Sequence, residues 1–336
     1  MHFSNNGQCL YLNYKRSMCK MDSKKIVVCL GGNSLEYGVG ETTAERQLEI
    51  IRKSVVGIVD LIESGYDVII SHGNGPQVGR IVLQNELARH ETPIMPFDVC
   101  GAMSQGMIGY HIEQALRNEF NERGIIKDVA ALITQVIVDR EDKGLKEPSK
   151  PIGPFYDKAT ALELEKNKGY VLREDSCRGG YRRIVASPMP VEIIETEVIR
   201  ELIRNKFVVI ACGGGGVPIA RDLKGNIEGI SAVIDKDFAS SKLAQDIQAD
   251  ILIIITTVDK VSLNFGKADE VLLDEVNTIE MEKYISEGHF ESGSMLPKVK
   301  ASVDFVKSSS GRLAVITSIN NLTKEIGNIK GTIIRD

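Results

Sequence analysis

Two lysines in this 336-residue chain stand at helix entrances among residues that would aim them. Lys236 lies within Ile234-Asp235-Lys236-Asp237, flanked by carboxylates, and Lys298 ends the run Gly293-Ser294-Met295-Leu296-Pro297-Lys298. Taken singly, the first also reads as a solvated helix start with acidic capping, and either reads as ordinary surface. Three glycine turns shift that balance. Gly31-Gly32-Asn33, Gly73-Asn74-Gly75 and Gly213 to Gly216 each follow an apolar run. A glycine turn from a buried strand into a helix exposes backbone N–H groups at the positive end of the helix dipole, which suits an anion. In a parallel sheet all three turns sit at the carboxyl ends of their strands and face one crevice. Glycine turns and mobile ammonium groups together suit phosphate oxygens, so the chemistry expected is phosphoryl transfer with a nucleotide.

Other phosphate grips are absent or incomplete. No G-x-x-x-x-G-K-[ST] segment exists, so a P-loop is excluded. The turn at Gly73 reaches its next glycine at Gly79 instead of position 78 and misses the dinucleotide fingerprint by one residue. A nucleotide-dependent oxidoreductase remains the alternative from another class. The five histidines never fall at i,i+4 spacing with a carboxylate between them, and no Cys/His cluster exists. No metal is therefore expected in a dedicated protein cage, whereas Mg²⁺ carried on nucleotide phosphates needs none.

The elements that must position these residues alternate. Ile26 to Leu30, Val68 to Ser71, Phe207 to Ala211, Ile251 to Ile255 and Leu313 to Thr317 are short apolar runs expected as buried strands, and Val129 to Val138 reads as one more. Between the first two, Leu48, Ile51, Val55, Ile58, Val59 and Ile62 recur at helical spacing, opened by a Thr42 and Glu45 capping pair and closed by Gly65. Further helices are expected at Phe238–Gln248 and Lys298–Lys307. This rhythm predicts an α/β fold, a three-layer α/β/α sandwich around a mostly parallel sheet. It stops between about residues 139 and 190, where prolines and charges suggest a protruding insertion or lid with a helix near Ala159–Lys168.

Composition narrows the setting. A net charge of −5 argues against a general nucleic-acid or anionic-membrane surface, so any basic site is local. Six scattered cysteines fit neither a zinc site nor a disulfide scaffold, which favours the reducing cytoplasm. Residues 1–23 have no apolar signal core and read as a disordered extension. His72, Cys29, Cys100 and Cys212 lie near the turns but read as structural, and Arg178, Arg182 and Arg183 as solvated charges of the insertion.

The segments His72 to Gly79, Asp98 to Gly106, Gly213 to Pro218, Ala232 to Ser240 and Gly293 to Lys298, in this order after Gly31-Gly32-Asn33, resemble the carbamate kinases of the amino-acid kinase superfamily. The resemblance runs from Lys24 almost to the carboxyl end. It implies reversible transfer, ATP plus carbamate giving ADP plus carbamoyl phosphate with Mg²⁺, used for ATP synthesis in arginine catabolism by a homodimer. Another phosphotransferase of that superfamily is the nearer alternative. The resemblance also implies roles. Lys236 and Lys298 would reach the transferring group, Asp237 would orient them, and Lys150 would close over it from the lid. Gly31, Gly32, Asn33, Gly73 and Asn74 would hold the acceptor and phosphoryl group, and Gly213, Gly214, Gly215, Thr257 and Asp259 the nucleotide. An acceptor lobe, 24–212, and a nucleotide lobe, 213–336, follow from the same likeness.

Overall fold

The computed structural model describes residues 23–32, 35, 43–175 and 179–336. The extension up to residue 22, Asn33, Thr42 and Arg178 lie outside the described residues. The first part of the chain forms β1 (Lys25–Leu30), α1 (Ala44–Glu63), β2 (Asp67–His72), α2 (Gly75–Leu87), α3 (Phe97–Arg123), β3 (Val129–Ala131) and β4 (Gln135–Ile137). The insertion contributes β5 (Lys150–Tyr156), α4 (Lys158–Lys168), β6 (Leu172–Glu174) and β7 (Tyr181–Val185). After it come β8 (Glu192–Ile193), α5 (Thr196–Arg204), β9 (Val208–Ile210), β10 (Val217–Arg221), β11 (Ile227–Gly229), α6 (Lys236–Asp246) and β12 (Ile251–Thr256). A small β13 (Ser262–Leu263) and β14 (Val271–Leu272) pair precedes β15 (Glu275–Asn277), α7 (Thr278–Ser286), α8 (Met295–Lys307), β16 (Leu313–Ser318) and β17 (Thr332–Arg335).

Eight strands make the central sheet in the order β15-β17-β16-β12-β1-β2-β9-β3, and only β16 and β17 pair antiparallel within it. Apolar runs without alternation are explained by burial on both faces. Val27 and Cys29 of β1 point into a core shared with α5, α6 and α8, while Ile26, Val28 and Leu30 point into one shared with α1 and α3. Three layers result, as the alternating pattern predicted. β1, β2, β9 and β12 run parallel, so their carboxyl ends open on one edge.

Local departures from expectation have identifiable causes. Helix α1 is capped by Thr43, whose hydroxyl accepts the Arg46 N–H at 3.2 Å, so the cap lies one residue beyond the expected Thr42. The expected strand Val129 to Val138 is two strands in two sheets, because β3 joins the central sheet and β4 pairs with β10 and β8. At the break, the Gln105 amide takes the place of a neighbouring strand. Its Oε1 accepts the Thr134 N–H at 2.8 Å and its Nε2 donates to the Thr134 carbonyl at 3.1 Å. Gly213 to Gly216 do not open a helix: a short 3₁₀ turn at Gly213–Gly215 passes directly into β10.

The insertion folds as its own antiparallel sheet, β5-β7-β6, with α4 beside it. It meets the main body backbone to backbone. A Cβ on Gly79 of α2 would stand 2.1 Å from the Cα of Gly153 in β5, so only glycine permits the approach. Among the described residues no helix is long and apolar enough to cross a membrane.

Candidate active site

The site is built where β1, β2 and β9 end. Asp235 caps α6 by accepting the Asp237 N–H at 2.9 Å, which places Lys236 and Asp237 in the first turn of the helix. The helix therefore begins two residues before the expected Phe238. Its entry is fastened to β2, since Ser240 Oγ donates to the Lys236 carbonyl at 2.5 Å and lies 2.6 Å from Ser71 Oγ. Helix α8 likewise begins at Met295, three residues ahead of the expected start, and carries Lys298 in its first turn.

This geometry gathers three ammonium groups around two carboxylates. Lys236 Nζ donates to Asp237 Oδ1 at 2.5 Å, and Lys298 Nζ donates to Oδ2 of the same carboxylate at 2.9 Å. Lys150, the first residue of β5 in the insertion, reaches across to Asp235 Oδ2 at 2.6 Å. Lys236 and Asp237 are buried, 8% and 2% exposed. Burial alone would push the Asp237 carboxyl up, but the Lys236, Lys298 and Lys150 charges outweigh it and hold it well below the usual carboxylate range. Burial would push Lys236 down, yet the Asp237 charge outweighs it and holds it above the usual lysine range. Both groups stay charged at neutral pH. A lysine used this way is a compact point charge, suited to a group whose charge moves during reaction.

The glycine turns surround this cluster. Gly73 lies under the Lys236 side chain, Gly31 lies against the Ile255 carbonyl, and no described residue would crowd a Cβ on Gly32. Asn74 is buried, and its Nδ2 donates to Ser104 Oγ at 2.8 Å. Gly213 packs against the His72 ring, Gly214 against the Asn74 amide and Gly215 against the Ile234 backbone. The third turn is thus a wall behind the second, in contact with the residues expected to hold the acceptor. Thr257 and Asp259 are exposed beyond β12, where Asp259 accepts from Ser318 Oγ at 2.6 Å and Asn321 Nδ2 at 2.9 Å.

Sequence reasoning missed two parts of the site. Cys29 was expected to be structural, but its Sγ accepts from Lys236 Nζ at 3.0 Å; burial pushes the thiol up, so it remains neutral. The period of two in side-chain direction along any strand, which sends Val27 and Cys29 of β1 toward α6, was the available signal. Asp235 proves to be a helix cap and the partner of Lys150 at once, a double role visible only when the insertion is in place. His72 is 1% exposed; burial first, then the Lys236 charge, push it down to about 4 despite its contact with the Gly73 carbonyl oxygen, 2.9 Å from Nδ1. It is a neutral ring at physiological pH. Among the described residues no group of three or more His, Cys, Asp or Glu side chains is arranged to hold a metal.

The model of the amino acid kinase family matches residues 24–318. The carbamate kinase of Clostridium perfringens is 50% identical over 311 residues, 92% of this chain and 98% of the relative. A carbamate kinase structure from Giardia lamblia bound to citric acid superposes with a TM-score of 0.88 at 39% identity, covering 94% of this chain and 99% of that one. The same Giardia enzyme bound to AMP-PNP gives a TM-score of 0.84 at 40% identity over the same shares.

Proposed function

Because the chain belongs to the amino acid kinase family and, within it, to the carbamate kinases, we propose that it moves a phosphoryl group reversibly between ATP and carbamate, giving ADP and carbamoyl phosphate. The observation that carries this reading is the pair Lys236 and Lys298 on opposite oxygens of Asp237, with Lys150 held nearby on the insertion. Phosphoryl transfer spreads negative charge over the equatorial oxygens of the moving group, and catalysis is mainly positioning and electrostatic stabilisation. Asp237 keeps two ammonium groups charged and apart, so both can face that group from fixed helix ends.

Among the described residues the carboxylates and the imidazole of the crevice are already engaged, which suits an acceptor that needs no base. A hydroxyl acceptor requires a base, whereas carbamate brings an oxygen that is already anionic. His72, which feels the Lys236 charge, is neutral, buried and turned to the Gly73 carbonyl oxygen. Gly31, Gly32 and Asn33 would receive the phosphoryl group and Gly73 and Asn74 the carbamoyl end. ATP or ADP would lie toward β12, with Thr257 and Asp259 near the adenosine and Gly213 to Gly215 supporting the acceptor wall. The lobes 24–212 and 213–336 would then divide acceptor from nucleotide, although the central sheet takes strands from both.

Mg²⁺ enters with the nucleotide in this reading. Both oxygens of Asp237 are engaged by lysines, and Asp235 is engaged by Lys150 and a backbone N–H, so the donor set suits a hydrated ion held chiefly by phosphate oxygens. Bound there, Mg²⁺ would neutralise charge on the β- and γ-phosphates. Carbamoyl phosphate is a mixed anhydride, so a steady supply of it drives the reaction toward ATP, as at the end of arginine breakdown. Three buried free cysteines, Cys29, Cys100 and Cys212, suit a reducing cytoplasm. Val99, Met103, Met107 and Tyr110 form an exposed apolar stripe on α3, 36% to 60% exposed, which supports a homodimer measurable by light scattering.

The test is ATP formation from ADP and carbamoyl phosphate with Mg²⁺. Folded protein should produce ATP, and Lys236→Met should lose about 10²–10³ in turnover. No ATP from the folded wild-type protein would sink the reading.

A further inference from the structure

Helix α2 runs from the Gly73-Asn74 turn to the outer part of the insertion, and it meets that insertion at both ends. Near its start the Gly79 backbone meets Gly153, and Val78 and Ile81 pack in one apolar cluster with Ile152. Near its end stands Glu86, a carboxylate with 20% of its side chain exposed. Its Oε2 accepts from Lys168 Nζ at 2.9 Å and from the Tyr170 hydroxyl, and its Oε1 accepts from Arg183 Nη1 at 3.2 Å. The Arg183 guanidinium also lies over the Tyr170 ring, 3.9 Å from its centroid. Burial would raise Glu86, but the Tyr170, Lys168 and Arg183 contacts outweigh it and keep it ionised.

All three donors belong to the insertion, from the end of α4, the turn after it and β7. Arg183 is paired with Ile152 across the β5–β7 ladder, and Lys150 with Val185, so the backbone of Arg183 is two ladder positions, roughly 7 Å along the strands, from the Lys150 pair. Next to this contact α2 and β7 are separated by a groove of about 370 Å³, lined by Val82, Glu86, Met95, Phe97, Arg183 and Val185. Val82 of α2 and Val185 of β7 both pack at the edge of the Val78–Ile152 cluster, and outward from them the polar contact joins the two elements.

We infer that Glu86 is a positioning residue: it latches the insertion onto α2, with the Gly79–Gly153 contact as the pivot, and so sets the reach of Lys150 over the acceptor turn. Glu86 touches no reacting atom. It acts through β7 and β5, and it ties the lid to the same helix whose first turn follows Gly73 and Asn74. Loss of the latch lets the lid swing on its pivot and withdraws Lys150, leaving Lys236, Lys298 and the nucleotide side in place.

The experiment compares Glu86→Ala, Lys150→Ala and the double variant by kcat/KM for carbamoyl phosphate at saturating ADP, which rests on the proposed activity. Glu86→Ala should cost about tenfold, the effect of losing one charged hydrogen-bonded contact. In the Lys150→Ala background the same change should cost less than about twofold, because the group it positions is gone. Equal losses in both backgrounds would overturn the inference, since they would mean that Glu86 serves stability alone. Should Glu86→Ala not fold, Glu86→Gln, which keeps the side-chain shape without the charge, is read by the same two outcomes. If folded wild-type protein makes no ATP, the proposed activity falls and the latch is decided by amide hydrogen exchange over Lys150–Tyr156. Exchange about tenfold faster in Glu86→Ala supports the latch, and unchanged exchange overturns it.

Discussion

Lys298 Nζ and Asp237 Oδ2 meet across 2.9 Å from the first turns of two different helices, 61 residues apart in sequence. That contact, with Lys236 on the other oxygen, makes Asp237 the spacer of the cationic cluster. Asp237→Asn removes the charge and keeps the shape. It leaves Lys236 buried beside a neutral amide, which should destabilise the protein by about 3–5 kcal/mol. Turnover should fall by about 10²–10³ as the two ammonium groups lose their common anchor. Denaturant midpoint and steady-state ATP formation measure the two effects, and wild-type values in both would remove Asp237 from this role.

Gly214→Ala tests the wall behind the acceptor turn. Gly214 has φ +65°, a left-handed conformation that costs an L-residue roughly 1–2 kcal/mol, and a Cβ there would lie 2.1 Å from Asn74 Nδ2. The Asn74 amide must move, and its bond to Ser104 must break. The expected result is a raised KM for carbamoyl phosphate with a smaller change for ADP. If the KM for ADP rose instead, Gly214 would belong to the nucleotide side.

Cys29→Ala should be tolerated. The thiol accepts a weak hydrogen bond from Lys236 and donates a long one to Asp237 Oδ1 at 3.5 Å, while the ion pair between Lys236 and Asp237 persists without it. A bond of that strength, about 0.5–1 kcal/mol, corresponds to a change in turnover within about fivefold. A loss of a hundredfold or more in the alanine variant would assign the sulfur a larger part in holding the lysine.

Stability should fall as the solution is acidified from neutrality. His72 has a folded value of about 4 against about 6.5 unfolded, so between these values the unfolded chain binds more protons and folding weakens as pH drops. His111, also pushed down by burial, adds to the same slope. The depressed Asp237 acts only below about pH 4, where its unfolded counterpart titrates, and does not mask the effect. Urea midpoints at pH 7.5, 6 and 5 should decline, and His72→Gln should flatten part of the decline. A constant midpoint across that range contradicts a buried neutral imidazole.

Much of this architecture was legible because burial on both faces leaves a plain mark. Ile26 to Leu30 and Ile251 to Ile255 are apolar throughout, and they became the middle of the sheet. Helix α1 was legible for a similar reason, its buried residues recurring at helical spacing. What escaped depends on partners distant in sequence. Nothing near Thr134 announces that the Gln105 amide ends one strand and starts another. The run Gly213 to Gly216 resembles a strand-to-helix turn in composition, but its successive left-handed residues, packed on His72 and Asn74, direct the chain into β10. Lys236, Asp237, Lys298 and Lys150 were visible as residues, and the structure brings them together. Their pairing was not visible, because Asp235 and Asp237 divide the lysines between them only after the insertion folds over α6.

The crevice carries its own anion. Asp237 is covalently tethered between two ammonium groups, so an incoming anion competes with a neighbour whose local concentration far exceeds that of any dissolved salt. Chloride or acetate offers a single charge and gains little by displacing it. A phosphoryl group has several oxygens and can contact both lysines while the carboxylate stays between them. Discrimination against common monoanions is thus set by a resident competitor as much as by the shape of the glycine turns.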